Sequence, residues 1–487
     1  MTLGQTLAIS AQATWPLHDT SQTQALEAQA QAQLPKHRLM QRAGLAVARL
    51  AMALAPHAHT IWIACGPGNN GGDGLEAAVW LKQWGKHPVV TWLRHPTHTP
   101  ADATHAAELA QTAQVTFANE PPASYDLAID ALLGIGTQRP PEGQMAQWIE
   151  QLQHSTCPVL CVDLPSGLVA QTGEWLLPWS SVYNPQRHTL SLLTLKPGLF
   201  TAHGRDAAGQ VWFNDLEVDG RSTPATANLQ VSHPERATAA HSSHKGSRGD
   251  VAVLGGASGM QGAAILAATA ALQGGAGRVY LGLLDGDTHV SHPALMTREP
   301  ATLPFDNATV VCGCGGGHDI APWLARALSV APRLVLDADA LNAIANDPQL
   351  LTLLRHRAPK GQITVITPHP LEAARLLGQT TSTIQAHRLQ AAQALVAHIR
   401  AVVVLKGSGT IIAAQGHTSV VNHSGNAQLA CAGTGDVLAG LIGARLGHTD
   451  DAFAATCEAV HTHGRAADTW PQTGPALNAA SLAASLR

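Results

Sequence analysis

Thr60-Ile-Trp-Ile-Ala64, Gly66-Pro-Gly-Asn-Asn-Gly-Gly-Asp-Gly74 and then residues 75–84 read as a strand, a glycine-rich loop and a helix that stops at Gly85. That order makes one half of a βαβ unit, and the neighbouring sequence repeats it. Residues 89–93, 126–132, 159–162 and 189–195 are further strand-like runs. Upstream, residues 38–54 form an alanine-rich helix, long enough to pack on a sheet and too short to span a bilayer. Residues 219–243 break the pattern with Thr, Ala, Ser, Pro and His and read as a linker. Strand-like runs then resume at 250–254, 278–284, 309–311, 333–336, 363–366 and 401–405, with a hairpin over 410–414 and 418–421. The expectation is two α/β domains in tandem, residues 1–223 and 224–487.

The composition narrows the function. The chain has 487 residues, with 45% hydrophobic, 13% charged and a net charge of -4. Such a chain is globular rather than disordered, and the charge balance argues against nucleic acid or an anionic membrane as partner. Seven cysteines without a CxxC pair oppose a disulfide scaffold or a structural zinc site. Residues 1–10 lack a signal-peptide pattern, and no apolar stretch is long enough to cross a membrane, so a cytoplasmic protein is expected. The pairs His57/His59 and His461/His463 have no carboxylate or cysteine beside them at ligand spacing.

Five glycines in the nine residues 66–74 exceed what an ordinary βα turn needs. They let the backbone approach a ligand, and the free N–H groups at the helix start favour anions. The loop fits neither the dinucleotide fingerprint nor the P-loop, and offers oxygens from Asn69, Asn70 and Asp73. Asp130-Ala-Leu-Leu-Gly-Ile-Gly136 and Asp163-Leu-Pro-Ser-Gly-Leu168 follow two later strands. In an open parallel sheet the carboxyl ends of the strands line the ligand crevice, which would gather Asn70, Asp130, Asp163 and Ser166. An all-oxygen set suits a hard cation, with one carboxylate left over for proton transfer.

GPGNNGGDG, DALLGIG and DLPSGL, with Leu39-Met-Gln-Arg-Ala-Gly44, resemble the NAD(P)H-hydrate epimerases. The resemblance implies a Rossmann-like, three-layer fold. It implies substrate contacts from Asn69, Asn70, Gly71, Gly72 and Asp73, and from the loop Gly134, Ile135, Gly136, Thr137, Gln138, Arg139 and Pro140. Potassium would sit on Asn70, Asp130 and Ser166, and Asp163 would touch substrate as the catalytic carboxylate. Leu75-Glu-Ala departs from the usual aromatic and valine after the loop, a matter of packing.

In the second half, Gly433-Thr-Gly-Asp436 opens a helical stretch. Its N–H groups and dipole make an anion hole beside Asp436, a carboxylate suited to accept a hydroxyl proton during phosphoryl transfer. Lys406-Gly-Ser-Gly-Thr410 is a second glycine loop, with a cation for nucleotide phosphates. With His244-Lys-Gly-Ser-Arg-Gly-Asp250, Asp337-Ala-Asp-Ala-Leu-Asn342 and Thr367-Pro-His-Pro-Leu-Glu372, these motifs resemble the ADP/ATP-dependent NAD(P)H-hydrate dehydratases, a ribokinase-like branch. The resemblance implies that Ala263, Gly315, His369 and Asp436 contact the hydrated nucleotide, with Asp436 as base. Lys406, Gly407, Ser408, Gly409, Thr410 and Gly435 would hold the adenine nucleotide. Cys314 stands where the family usually has proline.

Both halves occur in the order of the bifunctional NAD(P)H-hydrate repair enzymes. The resemblance implies epimerisation of R- and S-NAD(P)HX, then ADP-driven dehydration of the S form to NAD(P)H, AMP and phosphate. A bacterial-type fusion suggests ADP as donor, and Mg²⁺ is expected from the phosphoryl chemistry. The partners expected are NADHX, NADPHX and ADP, with self-association as a homo-oligomer. A ribokinase-like small-molecule kinase would not need the first half. A non-catalytic epimerase-like binding module would not need Asp130, Asp163 and Ser166 together.

Overall fold

The computed structural model describes residues 3–9, 14–95, 99–178, 184, 186–232, 241–286, 290 and 292–486. The chain divides into two compact units, Met1–Asn228 and Leu229–Arg487. In the first, Thr60–Cys65 lies inside an eight-stranded sheet. Its order is Leu7–Ala8, Gln210–Asn214, Arg187–Leu192, Val159–Val162, Leu127–Ala131, Thr60–Cys65, His87–Trp92 and Thr116–Ala118. All neighbours pair parallel except Leu7–Ala8, which is antiparallel to Gln210–Asn214. Parallel strands covered by helices are buried on both faces, which is why Leu127–Ala131 and Val159–Val162 are buried throughout. Thr60–Cys65 pairs on one side with the next strand in sequence and on the other with Leu127–Ala131. The order reverses there, so a crevice opens at the carboxyl ends of these two strands. Helices Arg38–Leu54, Asn69–Gln83 and Ala101–Thr112 pack side by side.

The second unit carries a mixed sheet running Met296–Thr297, Arg278–Leu283, Asp250–Gly255, Thr309–Cys312, Arg333–Leu336, Ile363–Ile366, Val402–Leu405, Ile411–Ala413 and Ser419–Asn422. The pairs are parallel as far as Val402–Leu405 and antiparallel beyond it, so the expected hairpin forms. Helix Thr434–Leu446 packs closely on Gln261–Gln273. A Cβ at Gly440 would fall 1.9 Å from the Ala267 carbonyl oxygen, so only glycine permits that approach.

Three expectations need correction. Helix Asn69–Gln83 begins inside the glycine-rich stretch rather than at Leu75, because Gly68 in extended backbone already serves as its N-cap. The strand expected to reach residue 195 ends at Leu192, since Leu193 turns into the left-handed region at φ 65°. The expected linker contains the strand Ala227–Gln230; residues 233–240 of it lie outside the described residues.

Candidate active sites

A cavity of about 430 Å³ lies in the first unit. Its lining includes Asn69, Asn70, Asp73, Gly134, Ile135, Gly136, Thr137 and Asp163, so the structure brings these expected residues together. Gly71 and Gly72 do not line it. A Cβ at Gly71 would fall 2.0 Å from the Gly66 carbonyl oxygen, and one at Gly72 would fall 2.5 Å from Met40 Cε. Both glycines serve close packing of the helix start. Gln138, Arg139 and Pro140 are exposed and also lie outside the lining.

Asp130 and Ser166 are buried. Ser166 Oγ donates to Asp130 Oδ1 at 2.5 Å, and its backbone N–H to Oδ2 at 2.9 Å. Leu133 ties this pair to the loop: its N–H donates to Ser166 Oγ at 2.9 Å, and its carbonyl accepts from Asn70 Nδ2 at 3.0 Å. Burial pushes the Asp130 carboxyl up, against the pull of its Ser166 hydrogen bonds. The hydrogen-bond donors to Asp130 are all neutral, and the charge of Arg187 also favours its ionised form.

Asp163 follows its strand with φ 65°, a left-handed conformation that Asp tolerates better than most residues. Its Oδ1 accepts from the Leu192 N–H at 3.0 Å and from Lys196 Nζ. The Lys196 ammonium is buried, and it also donates to the carbonyls of Leu192 at 2.7 Å and Thr194 at 2.9 Å. Sequence reasoning missed Lys196 because residues 189–195 read as one strand. The signal available was a lysine before Pro-Gly at the end of an apolar run. Asp73 is different: burial, then the charges of Asp163, Glu27, Glu76 and Asp102, push its carboxyl well above the usual range. Helix Thr20–Gln33 adds Thr23, Gln24, Glu27 and Gln31 to the lining, which no motif had indicated.

In the second unit, Gly433 at φ 90° caps helix Thr434–Leu446, whose third residue is Asp436. Cys314, Asp337 and Asp436 each bring a polar atom within 4.8 Å of the other two. Burial, and next the charge of Asp337, push the Asp436 carboxyl up to about 6. Lys406 Nζ donates to Asp337 Oδ1 at 2.6 Å, and Thr367 Oγ1 donates to the same oxygen at 2.8 Å. Burial opposes the Lys406 charge, but Asp337 and Glu372 outweigh it and hold the ammonium above its ordinary value. A Cβ at Gly435 would lie 3.3 Å from Lys406 Nζ, which places the two expected phosphate-binding elements together. Gly315, at φ 59°, abuts Ala263: a Cβ there would fall 2.9 Å from the Ala263 Cβ. His369 caps helix Pro370–Leu377, its Nδ1 accepting from Leu371 N–H at 3.1 Å. Burial lowers its basicity. The loop through Lys406 also touches Arg388, a buried cation that sequence reasoning passed over. Among the described residues no helix is long and apolar enough to cross a membrane.

Residues 36–198 match the family described as YjeF-related protein N-terminus, and residues 251–486 match that described as NAD(P)H-hydrate dehydratase. The chain is 37% identical over 464 residues to the bifunctional NAD(P)H-hydrate repair enzyme Nnr of Escherichia coli K12, covering 89% of this chain and 85% of that one. It is 30% identical over 467 residues to the enzyme of the same name from Thermofilum pendens, covering 88% and 87%. Among solved structures, it is similar to an ADP/ATP-dependent NAD(P)H-hydrate dehydratase from Bacillus subtilis, co-crystallised with ATP and Mg²⁺. That match has 29% identity and a TM-score of 0.44, and covers 52% of this chain and 92% of that one.

Proposed function

This chain belongs to the bifunctional NAD(P)H-hydrate repair enzymes, and from that premise we propose how its two halves divide the chemistry. The first half epimerises R- and S-NAD(P)HX, and the second dehydrates the S epimer at the expense of ADP. What carries the reading is kinship over 89% of the chain, which spans both sites. The kinase and binding-module readings each account for one half only.

In the first half, the hydrated ring carbon bears both a hydroxyl and the ring nitrogen. Reversible C–O or C–N cleavage scrambles its configuration, provided a group shuttles the proton. Asp163 is that group, held by Lys196 and the Leu192 amide so that one carboxylate oxygen is engaged. Asp73, whose carboxyl burial and the neighbouring carboxylates push up, contacts the substrate from the glycine-rich helix start. Asn70, Asp130 and Ser166 would hold potassium, their side-chain oxygens being the hard ligands such an ion takes. When bound, it supplies positive charge beside the substrate loop.

In the second half, hydroxide is a poor leaving group. Transfer of the terminal phosphoryl of ADP to the substrate hydroxyl converts it to phosphate, which the ring nitrogen's lone pair expels, and loss of a proton from the adjacent ring carbon then closes the C=C bond. The products are the reduced dinucleotide, AMP and phosphate. Asp436 takes the hydroxyl proton, and the amides around Gly435 hold the phosphoryl oxygens. Lys406 to Thr410 binds the nucleotide, and Ala263, Gly315 and His369 surround the hydrated substrate. Mg²⁺ would ride on the nucleotide phosphates, where it offsets their charge; the Cys314 thiol makes the Asp337–Asp436 group a poor cage for so hard an ion. The protein works in the cytoplasm, a reading supported by cysteines that are all free. Its form there is a homo-oligomer.

The test supplies mixed hydrate epimers with ADP or ATP and follows reduced nicotinamide and phosphate. The wild type should consume both epimers, and Asp163→Ala only the S epimer. Asp436→Asn should bind nucleotide but lose ~100- to 10,000-fold in rate. An Asp436→Asn protein that still releases phosphate at the wild-type rate would overturn the assignment.

A further inference from the structure

Arg388 opens helix Arg388–Ile399 and is only 3% exposed. Its Nη2 donates to three carbonyl oxygens of one loop: Leu405 at 3.3 Å, Lys406 at 3.2 Å and Gly409 at 3.4 Å. Its Nη1 donates to Gln385 Oε1 at 2.9 Å, which fixes the guanidinium from the other side. The loop is built around this group. Gly407 sits at φ 133°, and a Cβ there would fall 2.9 Å from Arg388 Nη1. The remaining glycine carbonyl, that of Gly407, accepts from Thr410 Oγ1 at 3.1 Å. The carbonyls of Leu405, Lys406, Gly407 and Gly409 are thus taken up from within, while among the described residues the N–H groups of Gly407 and Gly409 make no backbone hydrogen bond.

We propose that Arg388 is the positioning residue of the nucleotide loop: it ties down the loop carbonyls so that the Gly407–Gly409 amides stand ready for a nucleoside diphosphate. The inference rests on the reading of residues 406–410 as the nucleotide loop. A flexible glycine turn would lose conformational freedom when it closed on phosphate, and the guanidinium fork removes that loss beforehand. Burial lowers the Arg388 basicity to about 10, so the group stays cationic at neutral pH and adds a buried positive charge behind the anion. It touches neither reacting group, so its effect belongs in nucleotide affinity.

The experiment compares Arg388→Met, Arg388→Lys, Gln385→Ala and Gly409→Val in the full-length protein. ADP binding is read by calorimetry, KM and kcat by dehydration, and the fold of the second unit by its thermal melting transition. Arg388→Met should raise the KM for ADP by about 10-fold or more, the loss expected for hydrogen bonds from a charged group, with kcat changed far less. Arg388→Lys should recover part of that loss, and Gln385→Ala should cause a smaller one, which keeps the test open should Arg388→Met fold poorly. Wild-type ADP affinity in both Arg388 variants, with Gly409→Val binding no ADP, overturns the role of Arg388 alone. Wild-type ADP affinity in Gly409→Val overturns the nucleotide-loop reading itself.

Discussion

Asp163 and Lys196 form a buried ion pair, with side-chain exposures of 13% and 1%. Removing one partner strands the other charge, which typically costs about 3 kcal/mol or more. Asp163→Asn should therefore lower stability as well as stop epimerisation. Adding Lys196→Met should return much of that stability without returning activity, as paired denaturant melts would show. Asp436 sits in a different balance. Its carboxyl must be ionised to accept a proton, and burial with Asp337 holds it at about 6. Dehydratase kcat/KM should fall as the pH drops below about 6. Asp337→Asn removes a neighbouring negative charge, so the acid limb should move to lower pH. A limb that moves up, or stays, would contradict the coupling.

Close packing of small residues decides how the second unit's helices meet. Gly440 lies against the Ala267 carbonyl, and a Cβ at Gly443 would fall 2.5 Å from Val311 Cγ2. Gly440→Ala should destabilise this unit by about 2 kcal/mol or more, since overpacking forces a shift of backbone rather than of a flexible side chain. A thermal midpoint equal to wild type would refute the close approach. At this scale much was legible in sequence. Strands such as Val159–Val162 and Arg333–Leu336 coincide with their apolar runs, because strands covered on both faces must be apolar. The start of helix Asn69–Gln83 was not, because a glycine-rich stretch reads as loop whether or not packing makes it helical. Motifs marked Asn70, which lines the cavity of the first unit, and Asp436, which gathers with Cys314 and Asp337. Lys196 and Arg388 escaped because their partners Asp163 and Lys406 stand 33 and 18 residues away in the chain, which no local spacing records.

The molecule as a whole joins two units, each with the carboxylate proposed above for its chemistry. If the substrate passes between them through solvent, each site should work without its fused partner. A mixture of Asp163→Ala and Asp436→Asn proteins should then consume both epimers, although neither variant does so alone. Failure of the mixture, with each variant retaining its remaining activity, would mean that the two steps must share one chain. The backbone at Asp163 adds a consequence for descent. A left-handed position admits asparagine or glycine at little conformational cost, and asparagine lies one nucleotide exchange from aspartate. The ammonium of Lys196 would then be left without its counter-charge. A lineage drifting toward a silent, substrate-holding relative must therefore cross a less stable intermediate or change both codons together, and the ion pair acts as a lock against the gene's decay to a mere binder.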